Sequence, residues 1–397
     1  MTTRLLISGV GQLVSATGVP GTGESSLAIA TDQAVLVEAG VITEIGANDS
    51  SFVTEARERG ARELDIRGKV VIPGFVDSHT HLIHAGDRLE EFTKRMAGES
   101  YRPGGIWDTV AATRAASEEE LRSALRHRLA QAHATGTTTI EVKTGYGLDV
   151  ETELVLARVA AEVTDQVTFL GAHLVPPEFD EDPERYVDLV VGPMLEQVGE
   201  VARFIDVFYE TGAFNASQTR RVLDAGVQAG LLPTLHASQL GPGEGVAIAT
   251  EYGAVSLSHG TFLNDDDISR LARSDTTLTL LPGTDWATQQ PYPDAAKLLR
   301  AGVAVALASN CNPGSGYSSS MPLMVALAVR EMGMSPADAL YSATRAGATA
   351  LRLRDRGALA PGMRADMVIL DAPHYAYLAY RPGVPLVDQV ILGGECV

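Results

Sequence analysis

Cysteine is nearly absent from this sequence, and so are long apolar runs. The two cysteines, Cys311 and Cys396, cannot form a disulfide framework. The first residues, MTTRLLISGV, lack the apolar segment of a signal peptide. Apolar runs such as VVIPGFV are far shorter than the roughly 18 residues that cross a bilayer. We therefore expect a cytoplasmic protein with no membrane partner.

Basic residues are also scarce. Lys and Arg total 31 against 50 Asp and Glu, which gives a net charge of −19. Nucleic-acid binding needs clustered cations, so this balance argues against a nucleic-acid partner. With 397 residues and 45% hydrophobic content, the chain can form one large domain and a smaller one. A homodimer is the most common symmetric assembly of soluble proteins, and we expect one here.

The order of strand-like and helix-like segments predicts the fold class. Residues 1–66 contain short strand-like runs and turns, with no convincing helix in the first fifty. From about residue 70, strand-like runs alternate with amphipathic segments, one of which is opened by a capping box of Ser117 and Glu120. We count eight such runs: 75–81, 137–144, 167–173, 204–210, 232–238, 254–259, 277–283 and 303–310.

Eight βα units favour an α/β fold with a closed (β/α)8 barrel of the TIM type over an open sheet. The predicted barrel covers residues 67–354. The β-rich tail, 355–397, is too short to close a core alone, as is the head, 1–66. We predict that the two join as a small composite β-sandwich domain.

Histidines mark the predicted active face. Five of the nine lie at the carboxyl end of a predicted strand, namely His79, His81, His173, His236 and His259. In a barrel these ends converge, and the two histidines of the HxH pair project to one side. An HxH pair alone is a weak signal, since rim histidines can simply be hydrogen bonded. Together with the histidine of the fifth strand and a polar residue on the eighth, it predicts a metal site.

Imidazole ligands suit Zn²⁺ or Fe²⁺, and an open coordination position lets such an ion acidify a water molecule. His259, on the sixth strand, could then hold or deprotonate that water, or polarise a substrate carbonyl. His173, on the third strand, could orient the substrate. For each of these two, a hydrogen-bonded rim histidine is the alternative.

Several motifs resemble one known family. PGFVDSHTHL (73–82) and GALAPGMRADMVILD resemble the amidohydrolase superfamily. HAGDRLEEFTKRMAG (84–98), EVKTGYGL (141–148), TFLGAHLVPPEF (168–179) and NPGS (312–315) resemble, within it, the imidazolonepropionase family of histidine degradation. The resemblance implies hydrolysis of the cyclic amide of a small-molecule substrate, 4-imidazolone-5-propanoate, to N-formimidoyl-L-glutamate.

The resemblance also implies roles for single residues. His79, His81 and His236 match the metal ligands, and Arg88 matches the arginine that holds the substrate. A guanidinium is suited to grip a propionate carboxylate in a forked pair. The other matches to substrate-contacting positions are Tyr146, His173, Gln239, Asn312, Gly314 and Ser315. Gln239 lies at the family's Gln-or-Glu position beside the substrate, where it would also act in catalysis.

Lys143 raises the question of a second metal ion. In some members of the superfamily a carboxylated lysine bridges two metals, and Lys143 lies on the second predicted strand. It precedes TGYGL, however, as in a family that resembles a one-metal site. We predict one divalent ion, Zn²⁺ or Fe²⁺.

The main departure from the family is Asn310. The family places an aspartate here, which binds the metal and takes a proton from the attacking water. An asparagine can coordinate through its oxygen, but it has no charge and is no base at neutral pH. His84, where the family usually has an aromatic or aliphatic residue, is a lesser departure.

Three accounts of Asn310 remain open. Proton transfer could have moved to His259 or to a water chain, the enzyme could be weakened, or it could act on a related cyclic amide. Retention of the residues expected to bind propionate, such as Arg88 and Tyr146, favours the first two. The alternative functions are another amidohydrolase, such as a heterocyclic amine deaminase or a cyclic-imide hydrolase, and a catalytically silent binding protein.

Overall fold

The structure is a computed structural model that describes residues 4–98 and 105–397. Residues 1–3 of the predicted composite domain and 99–104 of the predicted barrel segment lie outside this description. The chain divides into two compact units. The first comprises Met1–Asp77, Gln131–Thr139 and Ser320–Val397, and the second comprises Ser78–Ala130 and Ile140–Ser319. The predicted domain boundaries at residues 66 and 354 differ from these limits and stay a prediction.

Strands occur at all eight positions predicted for the barrel. In chain order the strands are β1 (Arg4–Val14), β2 (Ile29–Glu38), β3 (Val41–Ala47), β4 (Arg62–Asp65), β5 (Val70–Pro73), β6 (Phe75–Asp77), β7 (Thr137–Ile140), β8 (Val142–Lys143), β9 (Val167–Ala172), β10 (Phe204–Tyr209), β11 (Leu232–Ala237), β12 (Ser256–His259), β13 (Thr277–Leu280), β14 (Val305–Leu307), β15 (Met367–Leu370), β16 (Val387–Leu392) and β17 (Glu395–Cys396).

Helices connect most of these strands. They are α1 (Glu24–Leu27), α2 (Ser51–Glu58), α3 (Leu89–Met96), α4 (Ile106–Ala115), α5 (Glu118–Ala134), α6 (Val150–Ala161), α7 (Pro183–Leu189), α8 (Leu195–Val198), α9 (Ala216–Gln228), α10 (Gly245–Glu251), α11 (Asp265–Leu271), α12 (Pro282–Thr288), α13 (Ala295–Arg300), α14 (Met321–Glu331), α15 (Pro336–Ala343), α16 (Arg345–Ala350) and α17 (Tyr377–Tyr380). Within the described ranges, none of the helices has the length and apolar character that crossing a membrane requires.

The first unit contains a sheet built from both ends of the chain. Its strand order is β17-β16-β15-β5-β1-β2-β3, with β4 also paired to β1. The tail strand β15 runs antiparallel to β5, with Met367 opposite Pro73. One face buries a cluster that includes Leu5, Val10 and Ile391, while Val53 and Ala56 of α2 pack with residues of the other face. The strands form one continuous hydrogen-bonded sheet, so the two-sheet sandwich stays a prediction.

The second unit contains a parallel sheet of seven strands in the order β14-β13-β12-β11-β10-β9-β8. These strands are almost continuously buried, as expected for a parallel sheet that helices cover on its faces. The predicted α/β class is therefore confirmed. Because the strands are parallel, their carboxyl ends lie along one edge of the sheet, and this edge carries the site described below.

Local signals in the sequence explain where helices begin and end. The Ser117 and Glu120 capping box is present, since the Ser117 amide donates to Glu120 Oε2 at 2.8 Å and the Glu120 amide donates to Ser117 Oγ at 3.3 Å. One detail differs from expectation, since the first fifty residues contain the short helix α1. Helices α15 and α16 are separated at Thr344, whose φ of −125° and ψ of −86° are not helical. The Thr344 hydroxyl donates to the Leu340 carbonyl at 2.7 Å, a local bond that competes with regular helix geometry.

Candidate active site

A cavity at the carboxyl edge of the parallel sheet gathers most of the residues singled out in the sequence. Its lining includes ten of the twelve predicted site residues, all except His79 and Gly314. The lining residues are His81, Arg88, Ile106, Tyr146, His173, Leu174, Phe208, His236, Gln239, His259, Asn310, Asn312 and Ser315. The tertiary fold thus brings together groups that are separated by more than 200 positions in sequence.

The HxH segment is fixed by backbone hydrogen bonds on both sides. The Asn310 amide donates to the His79 carbonyl at 3.0 Å, and the His81 amide donates to the Cys311 carbonyl at 3.0 Å. On the other side, the Lys143 amide donates to the Thr80 carbonyl at 3.0 Å. The two histidines are therefore held between the ends of β14 and β8.

Four imidazoles form a tight buried group, which we call the histidine end: His79, His81, His236 and His259. His79, His236 and His259 each offer a ring nitrogen within 4.8 Å of the others. His81 Nε2 lies 3.4 Å from His236 Nε2. The sequence placed His79, His81 and His236 on the metal and His259 on the water. The structure brings all four together, and this division of roles stays a prediction.

Polar neighbours orient two of these rings. Asp206 Oδ1 accepts a hydrogen bond from His236 Nδ1 at 3.1 Å, so the Nε2 lone pair of His236 faces the cluster. His79 Nδ1 lies 2.7 Å from the Ser258 hydroxyl. Burial lowers the pKa of His79, His81 and His259 well below the usual value, and neighbouring cationic groups add to the effect. These rings are therefore neutral at pH 7, the form that binds metal ions.

Lys143 is engaged in two buried ion pairs. Its ammonium lies 2.9 Å from Glu141 Oε1 and 2.8 Å from Asp206 Oδ2. Burial opposes its charge, but the carboxylates of Asp206 and Glu141 outweigh burial and raise the pKa of Lys143. Burial likewise opposes the charge of Asp206, yet His236 and Lys143 hold the pKa of that carboxyl well below its usual value. The ammonium group is therefore engaged by two carboxylates, and the single metal ion stays a prediction.

Asn310 lies three residues beyond β14 and has a left-handed φ of 51°. Its Nδ2 donates to Thr284 Oγ1 at 2.7 Å and to Ser315 Oγ at 3.4 Å. Its Oδ1 is buried and accepts no hydrogen bond from any side chain or backbone group in the described ranges. The amide therefore directs its NH2 group to these hydroxyls and keeps a coordinating oxygen without a partner.

A second group at the cavity, which we call the arginine end, comprises the lining residues Arg88 and Asn312 and their hydrogen-bonded neighbours Glu91 and Gly314. Arg88 is buried, and its Nε donates to Glu91 Oε2 at 2.6 Å. The Asn312 side chain organises its own loop, because Oδ1 accepts from the amides of Gly314 at 2.9 Å and Ser315 at 2.8 Å. Its Nδ2 donates to the Asn310 carbonyl at 2.7 Å. These bonds shape the loop between the two ends of the site.

Tyr146 and His173 form an aromatic wall of the cavity. Their ring centroids are 5.4 Å apart, and His173 stacks on His81 at 5.5 Å. His173 Nδ1 donates to the Gly145 carbonyl at 2.8 Å, and burial lowers the pKa of His173 to about 4. The buried Glu153 carboxylate accepts from the amides of the Tyr146 loop, including that of Gly147 at 2.7 Å. The His173 ring is thus neutral, and hydrogen bonds fix both His173 and the loop that carries Tyr146.

Gln239 completes the cavity lining on the side of β11. Its backbone amide donates to Glu210 Oε1 at 2.5 Å. Burial raises the pKa of Glu210 to about 7, although the backbone amides of Gln239, Leu240 and Thr211 oppose this effect. Glu210 therefore fixes the backbone from which the Gln239 side chain extends.

Comparisons with known proteins agree with this geometry. Residues 70–397 match the amidohydrolase family. The imidazolonepropionase of Salinispora tropica is 54% identical to the chain, and the alignment covers 98% of each protein. The chain belongs to the imidazolonepropionase family. Membership in this family makes it a hydrolase of the amidohydrolase superfamily.

Solved structures support the same fold at low sequence identity. The guanine deaminase of E. coli has a TM-score of 0.75 and 16% identity, with 100% of this chain and 99% of that one covered. A zinc-bound adenosine deaminase from Xanthomonas campestris has a TM-score of 0.70 and 20% identity, with 99% and 92% covered. At these identities the likeness concerns the fold alone.

The histidine end fits the divalent metal that the amidohydrolase family implies. Two imidazole nitrogens bound to one tetrahedral Zn²⁺ at about 2.1 Å lie roughly 3.4 Å apart, and the Nε2 atoms of His81 and His236 are 3.4 Å apart. His79 Nε2 and the Asn310 oxygen are buried with no hydrogen-bond partner within 4–98 and 105–397. Unsatisfied, converging lone pairs on neutral groups are the donor set that a divalent cation needs.

Several functional neighbours were missed in the sequence. Asp206 and Glu141 stand inside the strands FIDVFYE and TTTIEVKT, where a carboxylate in an apolar run was the available signal. No sequence pattern singled out Glu91 or Thr284 as a site residue. His84 is buried, and burial together with Arg128 lowers the pKa of His84 to about 3. It contacts Tyr146 at 5.6 Å between ring centroids but does not line the cavity.

Proposed function

We propose that this chain hydrolyses the cyclic amide of 4-imidazolone-5-propanoate to N-formimidoyl-L-glutamate, with a rate reduced by Asn310. The observation that carries the proposal is the cavity whose lining combines Arg88 with His81, His236 and His259. A substrate with a carboxylate at one end and a cyclic amide at the other matches these two ends. Membership in the imidazolonepropionase family supports the same substrate.

His79, His81 and His236 would hold the divalent ion, with the oxygen of Asn310 beside them. When bound, a Zn²⁺ or Fe²⁺ ion in this site polarises the amide carbonyl and acidifies a water molecule. Asp206 keeps His236 in the tautomer that turns Nε2 to the site. Three neutral imidazoles and a neutral amide supply no negative charge, so we expect weaker metal affinity than an aspartate at position 310 would give.

Arg88 would bind the propionate carboxylate, because its guanidinium is buried and lines the cavity. Tyr146 and His173 would contact the imidazolone ring along the aromatic wall. Gln239, whose side chain lines the same cavity, would hydrogen bond to the ring amide. Fixing both ends of the substrate aligns the scissile bond with the histidine end.

Hydrolysis adds the water oxygen to the carbonyl carbon and breaks the ring carbon–nitrogen bond. The water gives up one proton, and the departing nitrogen takes one, so the reaction needs a group that carries the proton. Asn310 cannot do so, since an amide does not accept a proton at neutral pH. We assign this transfer to His259, whose Nδ1 is buried with no partner in the described part of the chain. Burial lowers the pKa of His259, which makes it a weaker base than a free imidazole, so this transfer should be slow.

We further propose that the parallel sheet closes into the eight-stranded barrel predicted from the sequence. The bonds from Asn310 and Cys311 to the 79–81 segment, and from that segment to Lys143, support closure. The composite domain of residues 1–66 and 355–397 remains part of this proposal.

The test compares the chain with its Asn310→Asp variant. Both proteins are loaded with Zn²⁺ or Fe²⁺, and the loss of imidazolone propionate absorbance is followed together with the metal content per chain. We expect turnover by the unaltered chain and a rate increase of roughly a hundredfold for the variant, with tighter metal binding.

Asn312→Asp is the matched control, because it adds the same charge two residues away. It should give no increase in rate, since the aspartate cannot donate the hydrogen bond that Asn312 Nδ2 makes to the Asn310 carbonyl. No turnover by the chain and by Asn310→Asp, both with one metal bound, would contradict the proposed function.

A further inference from the structure

The most informative group outside the assigned residues is Glu91, on α3. Its Oε2 accepts from Arg88 Nε at 2.6 Å, and its Oε1 lies 3.6 Å from Arg95 Nη1. Both arginines are buried, with side chains 5% and 4% exposed, while the Glu91 side chain is 29% exposed. One carboxylate thus joins two buried guanidinium groups.

The same network reaches the loop that follows β14. Arg95 Nη2 donates to the Gly314 carbonyl at 3.0 Å. Gly314 follows Asn312, whose side chain arranges the loop that lines the cavity. Glu91 is therefore connected both to the arginine that faces the substrate and, through Arg95, to the loop beside it.

Two glycines leave space for this ion pair. A Cβ atom built at Gly314 would overlap Arg88 Nη1, and one built at Gly105 would overlap Glu91 Oε2 and lie 2.7 Å from Arg88 Nη2. Neither glycine has a positive φ, so backbone conformation does not require glycine here. The absence of these side chains instead allows the Arg88 guanidinium and the Glu91 carboxylate to occupy one defined position.

The bond to Glu91 uses the Nε atom of Arg88. A salt bridge through Nε fixes the plane of a guanidinium and keeps its terminal nitrogens in the fork geometry that matches a carboxylate.

We propose that Glu91 is a positioning residue that holds the Arg88 guanidinium in the orientation required to bind the carboxylate of the substrate. This inference rests on the proposed function and adds a specificity element to it. A positioning role predicts a change in KM, because the guanidinium binds the carboxylate equally in the ground state and in the transition state.

The test uses the metal-loaded full chain. We expect Glu91→Ala to raise KM for imidazolone propionate roughly 10- to 100-fold, with kcat within about threefold of the unaltered chain. Glu91→Gln keeps an acceptor for Arg88 Nε and should recover most of the loss. Gly314→Ala should raise KM in the same way, since the added methyl group would overlap Arg88 Nη1 and displace the guanidinium.

Glu90→Ala is the control, because Glu90 lies on the same helix, is 84% exposed and pairs only with Lys94 in the described structure. It should leave KM unchanged. Direct binding of imidazole-4-propionate and of its neutral amide, measured by calorimetry, gives a readout that does not depend on turnover. Glu91→Ala should reduce affinity for the acid and leave affinity for the amide unchanged.

The outcomes separate the two proposals. Absence of turnover in the unaltered chain and in Asn310→Asp would overturn the proposed function. Turnover by the unaltered chain, with an unchanged KM and unchanged acid affinity in folded Glu91→Ala, would overturn the positioning role alone. A fall in kcat with KM unchanged would also overturn it, because it would place Glu91 in the chemical step.

Discussion

The histidine end and the arginine end of the cavity are built on different kinds of backbone. His236 and His259 lie on the parallel strands β11 and β12, whereas His79 and His81 follow β6. The neighbours Asp206 and Ser258 lie on strands as well. Arg88, Glu91 and Gly314 lie at the start of a helix, within its first turn and in a loop. Strands fix the first end by regular geometry, whereas side-chain bonds and space left by glycines fix the second. Damage at the first end should therefore affect metal and stability, and damage at the second should affect substrate affinity.

The largest effect should follow from removing a histidine. His236→Ala deletes a nitrogen of the cluster and leaves Asp206 without its imidazole partner. We expect metal content to fall well below one per chain and kcat/KM to fall by at least about a thousandfold. Elemental analysis and activity measure the two quantities. His127 is exposed, so His127→Ala is the control and should change neither metal content nor kcat/KM. A His236→Ala protein with full metal content would contradict the assignment of the metal to the histidine end.

Lys143→Met tests whether the buried ion pairs beside the histidine end stabilise the fold. It leaves the buried carboxylates of Glu141 and Asp206 without their cation. Removing one partner of a buried ion pair typically reduces the free energy of unfolding by about 3–5 kcal/mol, which denaturant titration would detect. Lys297→Met removes an exposed pair with Asp265 and should change the same quantity by less than about 1 kcal/mol. Equal effects of the two substitutions would contradict the prediction.

Arg88→Lys tests the arginine end. A lysine keeps the charge but cannot pair with Glu91 and bind a carboxylate in forked geometry at the same time. We expect KM to rise by roughly 10- to 100-fold while metal content and unfolding free energy stay near those of the unaltered chain. Steady-state kinetics on the metal-loaded protein give the answer, with the exposed Arg330→Lys as control. Loss of metal in Arg88→Lys would show that the two ends are not independent.

The smallest effect concerns pH and Asp285, beside the Thr284 that binds Asn310. Burial raises the pKa of Asp285 to about 7, although the Thr261 hydroxyl opposes this shift. The folded state then holds this proton more tightly than the unfolded state, so stability is lost as pH rises from about 4 to 7. In metal-free protein we expect Asp285→Asn to raise the free energy of unfolding at pH 8 by about 1 kcal/mol, with a smaller difference at pH 5.

Denaturant titrations of both proteins at the two pH values measure this difference. The exposed Asp266→Asn should show no such dependence on pH. A gain for Asp285→Asn that is larger at pH 5 than at pH 8 would show that the sign is wrong.

Much of the site could be anticipated because its residues follow a regular pattern. His236 and His259 lie on neighbouring parallel strands, and parallel strands bring their ends to one edge whatever the intervening loops contain. Residues such as Glu91, Asp206 and Thr284 could not be anticipated in the same way. Their roles depend on which side chain lies within about 3 Å in the folded chain, and no spacing in the sequence encodes that distance.

The sequence by itself determined the alternation of strands and helices, the positions of the five strand-end histidines, the resemblance to the imidazolonepropionase family and the unusual Asn310. Only the tertiary structure decided that Lys143 forms ion pairs with Glu141 and Asp206. It also decided that the Asn310 amide donates to Thr284, and that Gly314 leaves space for Arg88. The physical reason is how far apart along the chain the interacting groups lie. Hydrophobic periodicity and chain direction are local properties, whereas ion pairs, amide orientation and close packing depend on atoms that folding brings together.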